Sequence, residues 1–323
     1  MIRAREYVSF LRREYLGDFV ASGGAAVKFV VPQDDESAEE LRGLLLSAGR
    51  EEGYEIASVD AAAVRVHMID RVFHEVARQI DWDARARSFV SSAIEGLGFA
   101  RPEGDLSLER VAAVNAYDPR ELRLELNRRL QEELLRDYGL AQEFRIAMVR
   151  LCQAQVDASD PVQADREAVL AWLRGELRLI GSLKHVAIFQ KIARHNARDM
   201  LLSLARWLPR SGRTGLLLEL DIRRCAVPKR PPEDASVFYT KAAVLDVYEL
   251  LRQLIDATDE LSSCLVFVTV APELLTDPKR GIEHSYHALK LRIWDEVRDR
   301  RRTNPLAALV RVSKGAEALI VHR

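Results

Sequence analysis

Two near-continuous apolar runs, GLLLELDI at residues 215–222 and CLVFVTVA at 264–271, constrain this chain more than any other feature. A strand with one wet face alternates apolar and polar residues. Runs without that alternation suit a parallel sheet covered on both faces. Parallel neighbours need a crossover, usually a helix. The segment between the two runs, YTKAAVLDVYELLRQLIDATDEL, repeats its apolar residues at helical spacing. Further strands are expected at 26–31, 54–60 and 306–312, each bordered by helical patterns. The expected fold class is therefore α/β, with a five-stranded, mainly parallel sheet.

From residue 66 to 207 the pattern is almost wholly helical. HMIDRVFHEVARQI, PRELRLELNRRLQEELLRDYGL, EFRIAMVRLCQAQV, ADREAVLAWLRGELRLI and SLKHVAIFQKIARHNARDMLLSLARWL all place apolar residues on one face. Asp118, Asp165 and Ser182 are the expected N-caps. The organisation expected is an α/β core in two parts, residues 1–65 and 208–323. A large helical insertion, residues 66–207, separates strands 2 and 3.

Hydrophobic content of 48% and charged content of 30% belong to a soluble globular protein. A net charge of −1 excludes a global field that recruits nucleic acid or anionic membrane, leaving only local patches. Cys152, Cys225 and Cys264 lie far apart without CxxC spacing, so neither a disulfide framework nor zinc is expected. His67 and His74 share a helix face and His284 and His287 are three apart, but neither pair has a ligand partner, so no metal is expected. The amino terminus is too charged for a signal peptide, and no apolar run approaches the ~20 residues of a membrane helix. A cytoplasmic location is the resulting expectation.

The first strand runs through VVPQDDESAEEL into an amphipathic helix, and the junction carries Pro32, Asp34, Asp35, Glu36 and Glu39. Taken locally, acidic residues in a helix's first turn are ordinary, because they meet the positive end of its dipole.

Several segments, in order and spacing, resemble the ATP-binding proteins of BREX-type bacterial phage-defence systems (the BrxC/BrxD-like proteins), P-loop ATPases of the AAA+ kind. FVASGGAAVKFVV resembles the lead into the family's Walker A strand. YEIASVDAAAVRVHMIDRVFHEVARQID resembles its second strand and the helix after it. WLRGE at 172–176 and GLLLELD at 215–221 resemble the segments before and at Walker B. LLRQLID and then LVFVTVAPELLTDPKRGIEHSYHALKLRI are similar to the sensor strand and the region after it. The resemblance implies an AAA+/P-loop-like three-layer fold.

It also implies a degenerate nucleotide site. A P-loop reads GxxxxGK[ST], in which backbone N–H groups, a lysine and a hydroxyl hold phosphate and Mg²⁺. At the matching positions, Pro32 and Ser37 replace the two glycines, Ala38 the lysine and Glu39 the hydroxyl. At Walker B, Asp221 remains, but Ile222 stands where the water-orienting glutamate belongs, and Glu219 interrupts the apolar run. Lys28 sits inside a strand rather than at its exit, which predicts a lysine reaching solvent rather than phosphate. The sequence ends about ten residues after its last strand, so the family's helical lid is expected to be absent.

The function expected from the resemblance is a non-hydrolysing pseudo-ATPase subunit, a scaffold or regulatory partner in an anti-phage defence complex rather than an enzyme. Its implied partners are an active paralogous ATPase or other defence subunits. Arg280 and Arg292 lie where related proteins reach a neighbouring subunit's nucleotide. No cofactor is expected. Two other readings stay open. One is an active or nucleotide-responsive ATPase binding ATP and Mg²⁺ at an atypical site built on Lys28 and Asp221. The other is a DNA-binding adaptor using the basic run RDRRRTNP at 298–305. No membrane partner is expected.

Overall fold

The two apolar runs become adjacent strands at the centre of one sheet, and every pairing in that sheet is parallel. The computed structural model describes residues 1–229, 235–294 and 304–314. Along the chain come β1 (Ile2–Arg3), α1 (Ala4–Leu11) running on into a π-helical segment (Arg12–Phe19), β2 (Ala25–Pro32), α2 (Asp35–Glu51), β3 (Glu55–Asp60) and α3 (Ile69–Gln79). The middle holds α4 (Trp82–Gly96), α5 (Leu108–Val114), α6 (Pro119–Leu130), α7 (Gln142–Ala154), α8 (Asp160–Leu173) and α9 (Ala197–Trp207). Next come β4 (Leu216–Asp221), α10 (Lys241–Asp256), β5 (Cys264–Thr269), α11 (Glu273–Thr276), α12 (Ile282–Ser285), α13 (His287–Ile293) and β6 (Leu309–Ser313).

The strand order is β1-β6-β2-β5-β4-β3. Where five strands were expected there are six among the described residues. The addition, β1, is two residues pairing Ile2 with Val312 and Arg3 with Ser313, too short to leave a periodic signal. All six residues of β5 are buried, as are five of the six in β4, which explains why these strands lack alternation.

One face of the sheet packs Val30, Leu217, Leu265, Phe267, Val310 and Val312 against Tyr7, Leu11 and Leu16 from the first helical stretch and Leu41 and Leu45 from α2. Leu41, Leu45 and Ala48 recur at the spacing of one helix face, and full burial of each leucine contributes roughly 1.5–3 kcal/mol. α2 stops where Gly53 takes a φ of 78°, the left-handed conformation that ends helices at little strain. α10 lies outside this cluster, packed on β2 and α13. It connects β4 to β5 in the direction opposite to the β2–β3 connection, so right-handed crossovers put it on the other face. The result is a P-loop-like three-layer fold.

The described chain forms two compact units. One comprises Met1–Val72 and Thr214–Arg323, the other Phe73–Arg213. The helical unit has its own aromatic centre. Trp82 and Trp207 stack with centroids 6.1 Å apart, and Phe144 meets both edge-on.

The helical reading fails over residues 174–196. α8 ends at Leu173, and Gly175 comes next but one at φ 73°, with the His74 ring 2.7 Å from where a Cβ would sit. A short 3₁₀ helix (Ile180–Val186) ends at Ala187, itself left-handed at φ 66°. Tertiary bonds hold this path: Trp172 Nε1 donates to the Gln190 carbonyl at 2.9 Å, and Lys191 Nζ to the Arg178 carbonyl at 2.9 Å. Of the expected caps, Asp118 does cap α6. Asp165 lies within α8, which starts at Asp160 behind Ser159, and Ser182 lies within the 3₁₀ helix.

Lys28 also departs from expectation. It is buried, only 4% exposed, with its ammonium 2.7 Å from the Leu306 carbonyl and 3.3 Å from that of Ala307, over the Tyr15 ring at 4.4 Å. The side chain lies against the π-helical segment rather than reaching into solvent. No helix among the described residues is long and apolar enough to cross a membrane. The basic run at 298–305 lies, apart from its last two residues, outside the described residues.

Candidate functional site

In open parallel sheets, ligands bind beyond the carboxyl ends of the strands where the strand order reverses. Here β2 is that place: its crossover to β3 passes over β5 and β4, and the chain then steps back until β6 lands on β2's other side. The junction singled out in the sequence lies at this edge.

β2 continues through Pro32 and α2 begins at Asp35, leaving a connection of only Gln33 and Asp34. The Gln33 N–H donates to the Val312 carbonyl on β6 at 2.8 Å. Asp34 is the N-cap, accepting from the Ser37 N–H at 2.7 Å and the Ser37 hydroxyl at 2.6 Å. Those bonds hold its carboxyl below the ordinary range. Ser37 is fully buried and Ala38 is 5% exposed, so the positions matched to a glycine and the lysine face the core. The Ala38 N–H donates to the Asp34 carbonyl at 3.1 Å, the first bond of the helix. A phosphate cradle needs several backbone N–H groups turned outward around a loop. Here those of Gln33, Ser37 and Ala38 are committed inside the protein.

Across the edge, Asp221 ends β4 and is held by the residue two places on. Arg223 donates its backbone N–H at 3.0 Å, Nε at 3.0–3.1 Å and Nη2 at 2.6 Å to this carboxylate. Its Nη1 reaches the Asp35 carboxylate at 2.7 Å. One guanidinium therefore joins the first turn of α2 to the end of β4. The hydrogen bonds to Asp221 hold its pKa above the ordinary arginine value. A second cation, Lys314 just after β6, pairs with Glu36 at 2.9 Å. Glu39, at the hydroxyl's place, contributes negative potential to Arg223.

Below Asp221 on the same strand face, Glu219 is 3% exposed. Arg42 of α2 donates to it at 3.4 Å, and burial raises its pKa in spite of that arginine. Ile222 turns the other way, 1% exposed, with its N–H on the Thr269 carbonyl at 2.9 Å. Nothing at position 222 faces the edge where a water would be polarised.

Arg223 was not singled out from the sequence. The signal was there, a basic residue two places after the Walker B aspartate, but its partner Asp35 lies 188 residues away and only the sheet order brings them together. Arg280 and Arg292, expected to face a neighbouring subunit, spend donors within the chain. Arg280 donates to the carbonyls of Val227, Tyr239 and Pro228 at 3.0–3.2 Å. Arg292 pairs with Asp256 and donates to the Ala288 carbonyl at 2.7 Å. The glycine pair Gly23–Gly24 lies at the amino end of β2, opposite the candidate edge. All three cysteines are buried, and desolvation pushes the Cys225 and Cys264 thiols up to about 12, which leaves them inert.

The Arg223 bridge carries its own expectation. Arg223→Met is expected to lower stability by about 1 kcal/mol, mostly through Asp221, because Asp35 is 98% exposed and its ion pair is screened. Urea unfolding of R223M, D221N and the double variant measures the coupling. Additive losses would show that the two residues act separately.

With this geometry in place, residues 18–321 match the family model described as BREX system ATP-binding protein BrxC/D. No curated protein matches the chain. No solved structure matches it.

Proposed function

The chain belongs to the family of BREX system ATP-binding proteins BrxC/D, and we propose that within it this BREX-related defence protein is a pseudo-ATPase, a subunit that neither holds nor hydrolyses ATP. The observation that carries this reading is the two-residue connection between β2 and α2, closed over by Arg223. ATP binding, which the family's description names, needs a loop of outward N–H groups and an unopposed positive end of the next helix. Here Asp34, Asp35 and Glu36 occupy that end. At a partly exposed site a carboxylate ~4 Å from a phosphate charge opposes binding by about 4 kcal/mol. Arg223 and Lys314 offset part of that charge but are themselves taken by carboxylates.

A fold kept without its nucleotide chemistry suits a scaffold or regulatory role beside a subunit with an intact GxxxxGK[ST]. Isothermal titration of the full chain with ATP and Mg²⁺ tests the first half: no heat of binding is expected up to millimolar ATP. Micromolar affinity would overturn the reading. Purification from a native source tests the second half, with a P-loop-bearing defence subunit expected to accompany the chain.

A further inference from the structure

The irregular segment at residues 175–196 of the helical unit is unlike the rest of the surface. The whole chain has a net charge of −1, yet this stretch carries Arg178, Lys184, Lys191 and Arg194 against one acid, Glu176, which pairs with Arg78 at 3.5 Å. All four cations are exposed. Arg178, Lys184 and Arg194 make no side-chain ion pair among the described residues, and Lys191 donates only to a backbone carbonyl. Among them stand two large apolar side chains turned outward, Phe189 at 62% and Leu179 at 76% exposure.

This exposure is held in place. Leu183, Val186, Ile188 and Ile192 anchor the segment in the core, so the chain on either side of Phe189 is fixed while its ring faces solvent. The Trp172 bond to Gln190 and the Lys191 bond to Arg178 draw the two limbs together. Long connections with little regular structure, here only the 3₁₀ turns at Ile180–Val186, are often functional in compact units.

We propose that this segment binds single-stranded DNA. An exposed aromatic ring on an anchored backbone is a stacking platform for an unpaired base, and flanking cations track the phosphates. The segment's own charge is complementary to a polyanion, with Asp165 and Glu143 of the neighbouring helices meeting it only at His185 and Gln190. The segment is irregular and offers no long helix to lie in a duplex groove. DNA is favoured over RNA because the neutral polar side chains that could donate to a 2′-hydroxyl each already donate within the chain. Ser182 donates to the Leu179 carbonyl at 2.9 Å, Gln190 to Glu143 at 2.6 Å and Asn196 to the Lys191 carbonyl at 3.3 Å. The proposal stands apart from the nucleotide site and does not depend on its state.

The test is fluorescence anisotropy of labelled dT20 with the full chain between 50 and 300 mM KCl. Wild type is expected to bind, with log K falling against log salt at a slope of about −2 to −3, as for three or four neutralised phosphates on a single strand. F189A is expected to weaken binding about 5-fold or more without altering that slope, because stacking on one aromatic is sequence-tolerant and uncharged. K184E/R194E is expected to abolish binding at 100 mM KCl. Thermal melts of both variants should match wild type, since the side chains are exposed. Absence of binding at 50 mM KCl overturns the proposal. So does binding that neither variant changes, or tighter binding to rU20 or a duplex of the same length.

Discussion

Gly215→Ala is expected to destabilise the sheet unit by about 3 kcal/mol or more, at the upper end of what overpacking does in a well-packed interior. A Cβ at this position would lie 2.1 Å from the Ser263 carbonyl oxygen and 2.9 Å from its carbon. Those are backbone atoms with nowhere to go. The Ser263 oxygen accepts from the Leu216 N–H at 2.8 Å, and the Ser263 N–H donates to the Gly23 carbonyl at 3.2 Å. On the other side, the Gly215 carbonyl accepts from the Glu55 N–H at 2.9 Å. Relieving the clash means parting β4 from β5 where three strands begin. Urea unfolding measures the effect, and a loss under about 0.5 kcal/mol would show that the strand starts can spread.

The second large effect is a pH dependence. Burial lowers the Lys28 pKa from 10.5 to about 8. Between those values the unfolded chain binds a proton at this residue that the folded chain does not, so stability rises with pH across that window. The contribution is fully present above about 10.5 and lost as pH falls through about 8. Each pKa unit corresponds to about 1.4 kcal/mol, so the full swing is about 3 kcal/mol. The unfolding free energy of wild type minus that of Lys28→Met, measured from pH 7 to 10 so that the ionisation of unfolded cysteines and tyrosines cancels, is expected to climb by about 2 kcal/mol of this. A difference that stays flat across this window would show that the buried ammonium keeps an ordinary pKa.

Much of this molecule was legible before its structure. The runs around Leu218 and Val266 announce strands buried on both faces, because only water on one side imposes alternation. The acidic first turn of α2 is equally local, since carboxylates there meet the positive end of their own helix. The 174–196 stretch carries a helical signal because Leu183 and Val186 are three apart and Ile188 and Ile192 four apart, the steps of a helix face. Such spacing records which residues are buried, not the backbone path that buries them.

The candidate site divides in the same way. Loss of the glycines, the lysine and the Walker B glutamate at Pro32, Ser37, Ala38, Glu39 and Ile222 is a matter of residue identity and was visible in the letters. Letters alone do not show that β2 runs on to Pro32 and α2 starts at Asp35, closing the connection to two residues. Nor do they show that Lys28 lies beneath Tyr15 without reaching solvent, or that Arg223 ties Asp35 to Asp221. Periodicity, composition and capping depend on neighbours in the chain, so the sequence by itself determined the fold class and the residue chemistry at the sheet's edge. Contacts between residues far apart in the chain depend on strand order and register, so only the tertiary structure decided which charges meet and which backbone groups face outward.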